Sequence, residues 1–179
     1  TFQTNQYFAN MSQNYFAMAV PSYLGTWGLS VNMLSSDDLE RTTMSSGKAG
    51  QVLGNFEARD MAVSFGWGAE FSHGVTVGLN GRFLQSTIDK ISATAFAGDV
   101  GLQIQPISNW SLGLAVKNVG TGVKFQTVED PLPTTINLGT AFRFLPGRNL
   151  ICSLDLNKPK AESFSINMGV ELTVLDHFS

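Results

Sequence analysis

The sequence predicts an all-β chain folded as an antiparallel, up-and-down sheet, and three observations support this class. The long segments alternate apolar and polar residues with the two-residue period of a β-strand. Short connectors alternate with long connectors along the chain. Most of the segments match or exceed the ~9–11 residues with which a tilted strand crosses a bilayer, whereas strands of globular proteins average about 5–6 residues.

Nine segments carry this pattern. In chain order they are residues 13–20, 25–36, 59–71, 75–86, 92–105, 110–118, 134–145, 150–157 and 163–174. The alternation is clearest in the third segment, where Met61, Phe65 and Trp67 share one face while Ser64 and Gly66 share the other. It recurs in the sixth segment (Trp110, Leu112, Leu114, Val116), the seventh (Ile136, Leu138, Phe142, Phe144) and the ninth (Ile166, Met168, Val170, Leu172).

The connectors differ in length according to their position. The short ones are residues 21–24, 72–74, 106–109 and 146–149, and the long ones are residues 37–58, 87–91, 119–133 and 158–162. Every second connector of a meander lies at the same end of the sheet, so the short turns are expected at one end and the long loops at the other. Bacterial outer-membrane barrels have this asymmetry.

Composition excludes several classes of protein. Charged residues make up 14% of the 179 residues, against about 25% in ordinary soluble domains. No segment approaches the ~18 consecutive apolar residues of a transmembrane helix. The net charge of −3 has no basic patch behind it, so nucleic acid is not an expected partner. Cys152 is the only cysteine and forms no intrachain disulfide. Residues 1–179 are expected to be a single domain.

The two faces favour a transmembrane β-barrel over a soluble sandwich or barrel, which stays the alternative. The polar face is rich in Gly, Ser, Ala and Asn, as in a crowded interior, and apolar residues such as Phe65, Leu114, Phe142 and Met168 are expected to point outward into hydrocarbon. Aromatic residues gather near strand ends, where their rings would meet lipid headgroups. These residues are Tyr23, Trp27, Phe71, Trp110, Phe142 and Phe144.

Nine strands cannot close antiparallel, because the first and last would run in the same direction. Single-chain bacterial barrels have an even number of strands. We therefore expect the chain to be an incomplete piece of a larger barrel.

The stretch WSLGLAVKNVGTGVKFQTVEDPLPTTINLGTAFRF, residues 110–144, resembles the PorV/PorQ-like outer-membrane barrels, which are related in architecture to FadL-type transporters. The resemblance rests on Asn118, Gly120, Lys124, Phe125, Asp130, Pro131, Leu132, Pro133, Thr135, Leu138 and Gly139. Upstream, GTWGLSVNML, RDMAVSFGWG and AGDVGLQIQP resemble the preceding hairpins. Because no segment matching the family's N-terminal plug or its strands after residue 175 is seen in the sequence, the resemblance implies that the chain is a central portion of a barrel of about fourteen strands.

The resemblance also implies a function. PorV-like members act in type IX secretion, where they hold the C-terminal signal domains of exported proteins and pass them to an attachment machinery. Other members are regarded as carriers of hydrophobic molecules. The expected location is the bacterial outer membrane, and the expected partners are outer-membrane lipid and proteins of the secretion or envelope machinery. A FadL-like transporter and a soluble all-β binding domain are the alternatives.

Charged residues on the inward face are the first candidate site. They are Asp60, Glu70, Arg82, Asp99, Lys117, Arg143, Asp155 and Glu171. These charges either line a path for polar solutes or pair with one another and with a plug, because an unpaired charge away from water is costly.

Two long connectors are the candidates for partner contacts. Residues 37–58 form the longest and most polar connector, and long loops often carry function. The connector 119–133 contains Asp130, Pro131, Leu132 and Pro133, and its two prolines predict a stiff arch. That arch either presents a docking surface or is turn chemistry alone. No Ser-His-Asp or Cys-His constellation and no metal-ligand spacing is visible, so we expect no enzymatic activity, no cofactor and no metal.

Overall fold

The computed structural model describes residues 1–8, 10–45, 48–125, 128–144 and 149–173. The described chain contains twelve β-strands and one 3₁₀ turn, Ser72–Gly74, between the fourth and fifth strands. The strands are β1 (Phe2–Gln6), β2 (Met11–Ser22), β3 (Gly25–Ser45), β4 (Lys48–Phe71), β5 (Val75–Ile88), β6 (Ile91–Ile107), β7 (Trp110–Gly120), β8 (Val123–Phe125), β9 (Val128–Asp130), β10 (Thr135–Phe144), β11 (Asn149–Pro159) and β12 (Ser165–Thr173).

Ten of these strands form one antiparallel up-and-down sheet in the order β1-β2-β3-β4-β5-β6-β7-β10-β11-β12, and β8 pairs with β9 in a separate hairpin. The antiparallel meander predicted from the sequence is therefore confirmed. The count of nine strands is wrong, because β1 adds a tenth by pairing with β2. With ten strands the two edge strands run antiparallel, so the argument from an odd count for a larger barrel no longer holds. The sheet is open in the described part of the chain, since β1 and β12 do not pair with each other.

The connectors differ from the expected loops at one end of the sheet. The sequence predicts a loop over residues 37–58, but residues 37–45 continue β3 and residues 48–58 continue β4, and these extensions pair with each other, with Leu39 opposite Phe56. The predicted link 87–91 shrinks to Asp89 and Lys90, because β5 and β6 pair up to Ile88 opposite Ile91. The asymmetry between the two ends is thus one of strand length more than of loop length.

The described residues form no closed hydrophobic core. Among them, the buried apolar side chains are Ala93, Ala95 and Ala97, all in β6, and no large side chain is fully buried. None of the described residues belongs to a helix that is long and apolar enough to cross a membrane. Main-chain hydrogen bonding between long neighbouring strands therefore organises this chain.

Candidate functional site

One face of the sheet is apolar across all of its long strands. The register aligns Leu29 with Phe65, Val77 with Leu102, and Leu102 with Leu114, so the apolar rows of neighbouring strands continue one another. Large side chains on this face stay exposed, including Phe65 at 55%, Leu114 at 44% and Met168 at 82%. Phe142 is half-buried beside Phe144, with ring centroids 4.6 Å apart. These four side chains share one face and do not enclose a core.

Aromatic rings concentrate along one edge of this apolar face, beside the short turns. Trp27 lies opposite Trp67 in the register and stacks on Phe65 with centroids 5.5 Å apart. The Trp67 indole N–H donates to the Leu24 carbonyl oxygen at 2.9 Å. Tyr23, in the turn between β2 and β3, is 95% exposed.

The same band continues across β7 and β10. Trp110 lies opposite Phe142, and its indole N–H donates to the Thr140 hydroxyl at 2.9 Å. Rings with an apolar body and a satisfied polar group suit the boundary between an apolar phase and water. All three tryptophans of the chain lie in this band.

The opposite face carries the predicted charged residues. The register places Asp60, Glu70, Arg82, Asp99, Lys117, Arg143, Asp155 and Glu171 together on it. Only two of them form an ion pair among the described residues, namely Arg82 and Asp99. The others, including Glu70 and Glu171, are exposed. The sequence left open whether these charges pair with one another. In the described part of the chain, only one such pair forms.

Arg82 and Asp99 belong to a part-buried network of four side chains. Nη2 of Arg82 lies 2.7 and 2.9 Å from the two carboxylate oxygens of Asp99 and donates to Oδ1 of Asn118 at 2.5 Å. Nδ2 of Asn80 donates to Asp99 at 3.0 Å, and the backbone N–H of Asn118 donates to it at 2.8 Å. Hydrogen bonds to a charged acceptor are stronger than neutral ones. The network holds β5, β6 and β7 in one register.

Asn118 sits in a bulge. Between Gly98 and Val100 the register shifts, so Lys117 and Asn118 of β7 together face Asp99 of β6. Asn118 has a positive φ of 60°, a conformation that asparagine tolerates better than most residues. A bulge bends its strand and redirects side chains, and here it turns Asn118 toward the charged network.

Asn118 also anchors the connector that follows β7. Its Nδ2 donates to the Pro133 carbonyl oxygen at 3.1 Å, and its own carbonyl accepts from the Thr134 hydroxyl at 3.1 Å. The connector leaves the sheet after Gly120 and returns at Thr135. Asn118 therefore links both ends of the connector to Arg82 and Asp99. The charged network thus ties both ends of this connector to the sheet.

The predicted arch is only partly irregular. Asp130 ends β9 and lies opposite Val123 of β8, so the first half of the connector is a small hairpin. Pro131 and Pro133 are exposed, whereas Leu132 is half-buried. Leu132 is therefore not a freely displayed apolar side chain.

The β8–β9 hairpin lies over the polar face of the sheet. β8 contacts β6, and Val123 of β8 borders a cavity of about 290 Å³ together with Leu34, Leu84, Ala93 and Asp60. Asp60 makes no hydrogen bond or ion pair with any described residue. The cavity has an apolar lining with a single carboxylate at its border.

A second feature at this end is the extension of β3 and β4. Beyond Ala58, which is the last residue of β4 to pair with β5, the two strands pair only with each other. The paired stretch from Leu39 to Ser45 spans roughly 20 Å at ~3.3 Å per residue. Arg41 ties its base to the β5–β6 turn through Asp89 at 2.6 Å and lies 5.8 Å from the Phe56 ring.

The described residues contain no group of three or more His, Cys, Asp or Glu side chains that could hold a metal ion. The side chain of His73 and all of His177 lie outside the described residues.

Sequence reasoning did not place Asn80 or Asn118 in the charged network, and it missed the extended hairpin. Asn118 is 19 residues from Asp99, and its role depends on a register shift that alternation cannot reveal. One signal was present, since an asparagine followed by Val-Gly at the end of a strand favours a positive φ.

Comparison with protein-family models and with curated proteins finds no match to this chain.

Proposed function

We propose that this chain is part of an outer-membrane β-barrel whose apolar face contacts lipid. The observation that carries the proposal is the exposed apolar face that runs across the sheet, opposite a face of small and polar residues. A soluble monomer rarely exposes apolar patches larger than a few hundred Å². Nine of the ten strands of the sheet are at least 9 residues long, β1 being the exception, which suits a ~9–11-residue crossing.

The band of aromatic rings supports an orientation. In membrane barrels aromatic girdles lie at the two interfaces of the bilayer, and short turns face the periplasm. Trp27, Trp67 and Trp110 would then lie at the periplasmic interface, and the β3–β4 extension would project on the outer side.

Intrinsic fluorescence tests this proposal directly, because all three tryptophans lie on the proposed lipid face. In vesicles, lipids brominated near the headgroup should quench the fluorescence more strongly than lipids brominated near the chain ends. As a matched control, Gln103→Trp in a chain whose three native tryptophans are replaced by Phe places the probe on the polar face, where little quenching is expected. Native tryptophans that no brominated lipid quenches would contradict the proposal, as would a chain that stays monodisperse in buffer without detergent.

We further propose a PorV/PorQ-like role, in which the barrel binds partner proteins during secretion or envelope assembly. The sequence resemblance in residues 110–144 supports this role. The β3–β4 extension supplies a surface for it, since it stands clear of the sheet and exposes Val52 at 55% and Leu53 at 61%.

Gentle detergent extraction tests the partner-binding role. The full chain should co-purify with large envelope proteins. A variant with residues 41–54 replaced by a short Asn-Gly turn should lose them. Its unheated sample should still run as a folded barrel on gels, which shows that the sheet is intact. A full chain that is always solitary, under conditions that preserve other envelope complexes, would count against the role.

Transport of a hydrophobic compound is the second candidate, and the cavity under Val123 favours it. A carrier should take up its compound into vesicles, and the deletion in the β3–β4 extension should leave that uptake unchanged. The two candidates therefore differ in whether this deletion removes the function: it should abolish partner binding but leave transport intact.

A further inference from the structure

We infer that the cavity beneath the β8–β9 hairpin is a binding site for a small organic cation with an apolar body. This site lies on the polar face of the sheet, so the inference does not depend on what covers the apolar face. It rests on the lining of the cavity, on the unpaired carboxylate of Asp60 and on the fixed position of the roof.

The lining suits an apolar body. Leu34 of β3, Ala62 of β4, Leu84 of β5 and Ala93 of β6 form the floor, and Val123 of β8 forms the roof. Four adjacent strands thus contribute one side chain each to a continuous apolar surface. The volume of about 290 Å³ lies near the lower limit of the ~300–1,000 Å³ that is usual for small-molecule sites, so the ligand is smaller than a long-chain lipid.

The carboxylate of Asp60 selects a positive charge. In the register its neighbours on the same face are Leu34 and Ser86, and neither is a cation. No described residue forms an ion pair with it. The nearest arginine in sequence, Arg59, faces the other side of the strand and pairs with Glu57 at 2.7 Å. Asp60 is exposed, so a cation whose apolar body enters the cavity can reach the carboxylate and form an ion pair with it.

An organic cation fits this site better than a metal ion. Divalent cations require several oxygen ligands, and the described residues contain no cluster of three or more acidic or other metal-binding side chains. Among the described residues Asp60 is the only acidic one in the lining, and Asn32 and Ser86 are the polar residues of the lining on the same face. A singly charged ammonium needs only the carboxylate and one or two such acceptors.

The roof of the cavity is held in place by the network described above. Asn118 binds Arg82 and Asp99 on one side and Pro133 on the other, so both ends of the segment that carries Val123 are fixed. A fixed roof reduces the ordering cost of binding. It also makes the site dependent on a residue that does not touch the ligand.

Titration with phenethylammonium, followed through the methyl NMR signals of Leu84 and Val123 in the purified full chain, tests the inference. Saturable shifts of both signals are expected. The neutral analogue 2-phenylethanol and the anionic analogue 3-phenylpropanoate should bind more weakly, by roughly two- to fivefold. Asp60→Asn should remove the preference for the cation, and Val123→Trp should abolish binding by filling the cavity.

Glu171→Gln is the matched control, because it removes a carboxylate from the same face at a distant strand, and it should leave the affinity unchanged. Absence of saturable shifts with phenethylammonium would overturn the inference. Equal affinity for all three probes, or an unchanged preference for the cation in Asp60→Asn, would overturn the assignment of a cation site. Asp60→Asn keeps the shape of the side chain, so its result stands even if Val123→Trp does not fold.

Discussion

The sharpest test of which face meets lipid compares two adjacent residues of β6. Leu102 lies on the apolar face between Val77 and Leu114 and is 37% exposed, whereas Gln103 lies on the opposite face and is exposed. Arginine at either position adds the same charge to the same strand. The two variants therefore differ in the medium that receives the guanidinium group and in the leucine packing that only Leu102→Arg removes.

The expected magnitude follows from this placement. An arginine on the lipid face of a membrane barrel costs about 2–4 kcal/mol at the midplane and about 0–1 kcal/mol near the interfaces. Leu102 is level with Ala69, close to the tryptophan band, and so lies between these two depths. The loss of leucine packing adds about 1–2 kcal/mol, because Leu102 is only part-buried. Leu102→Ala measures that packing loss alone. We therefore expect Leu102→Arg to be about 1–3 kcal/mol less stable than Leu102→Ala, a change of roughly 5- to 150-fold in the folding equilibrium. Gln103→Arg should change stability by less than about 0.5 kcal/mol.

Reversible unfolding in lipid vesicles along a guanidinium titration, followed by tryptophan fluorescence, gives all three free energies. If Leu102→Arg is no less stable than Leu102→Ala, the side chain meets water in the folded state and the membrane assignment fails. A large cost for Gln103→Arg would instead mean that the polar face is packed against another part of the molecule.

Three further predictions concern the polar face and its bulge. Arg82→Ala should destabilise the chain by about 1–3 kcal/mol, because it removes hydrogen bonds to a charged acceptor. In the same denaturant titration, replacing the exposed Arg59 by Ala should cost less than about 0.5 kcal/mol. Equal effects of the two variants would mean that the network adds no stability. Asn118→Ala should release the connector after β7 and raise its rate of tryptic cleavage, and a cleavage rate equal to that of the parent chain would refute the anchoring role. Gly120→Ala should lower the free energy of unfolding by about 1–3 kcal/mol, because a Cβ there would overlap the Phe96 carbonyl oxygen. Gly113→Ala in the same strand should be tolerated, because a Cβ there has open space. Similar melting temperatures for these two glycine variants would contradict this reasoning.

The faces of the strands were predictable from the sequence, and some of their lengths were not. Alternation alone assigns Phe65, Leu114 and Met168 to one face, because the period of two leaves no other choice within a strand. The β3–β4 extension was missed because residues 37–58 are mostly polar and their few apolar residues do not alternate regularly with polar ones. Its strands pair through the main chain, which the side-chain pattern does not report.

The candidate site was predictable only in part. The sequence supplied the charged face, and the structure reduced its pairing to Arg82 and Asp99 among the described residues. Asn80 and Asn118 joined them through the register of three strands, which depends on a bulge. β1 was missed for a related reason, since Phe2–Gln6 is a short and mostly polar segment that is a strand only because β2 offers it a partner.

The three buried alanines of β6 set the clearance between the sheet and the hairpin above it. Ala93, Ala95 and Ala97 are at most 6% exposed, so each acts as a spacer one methyl group thick. Larger side chains at these positions would lift β8 from the sheet and widen the space below it, and glycine would let it settle. Valine or serine at these positions would therefore change the size of the ligand that fits the cavity, while the strands, turns and charges stay the same.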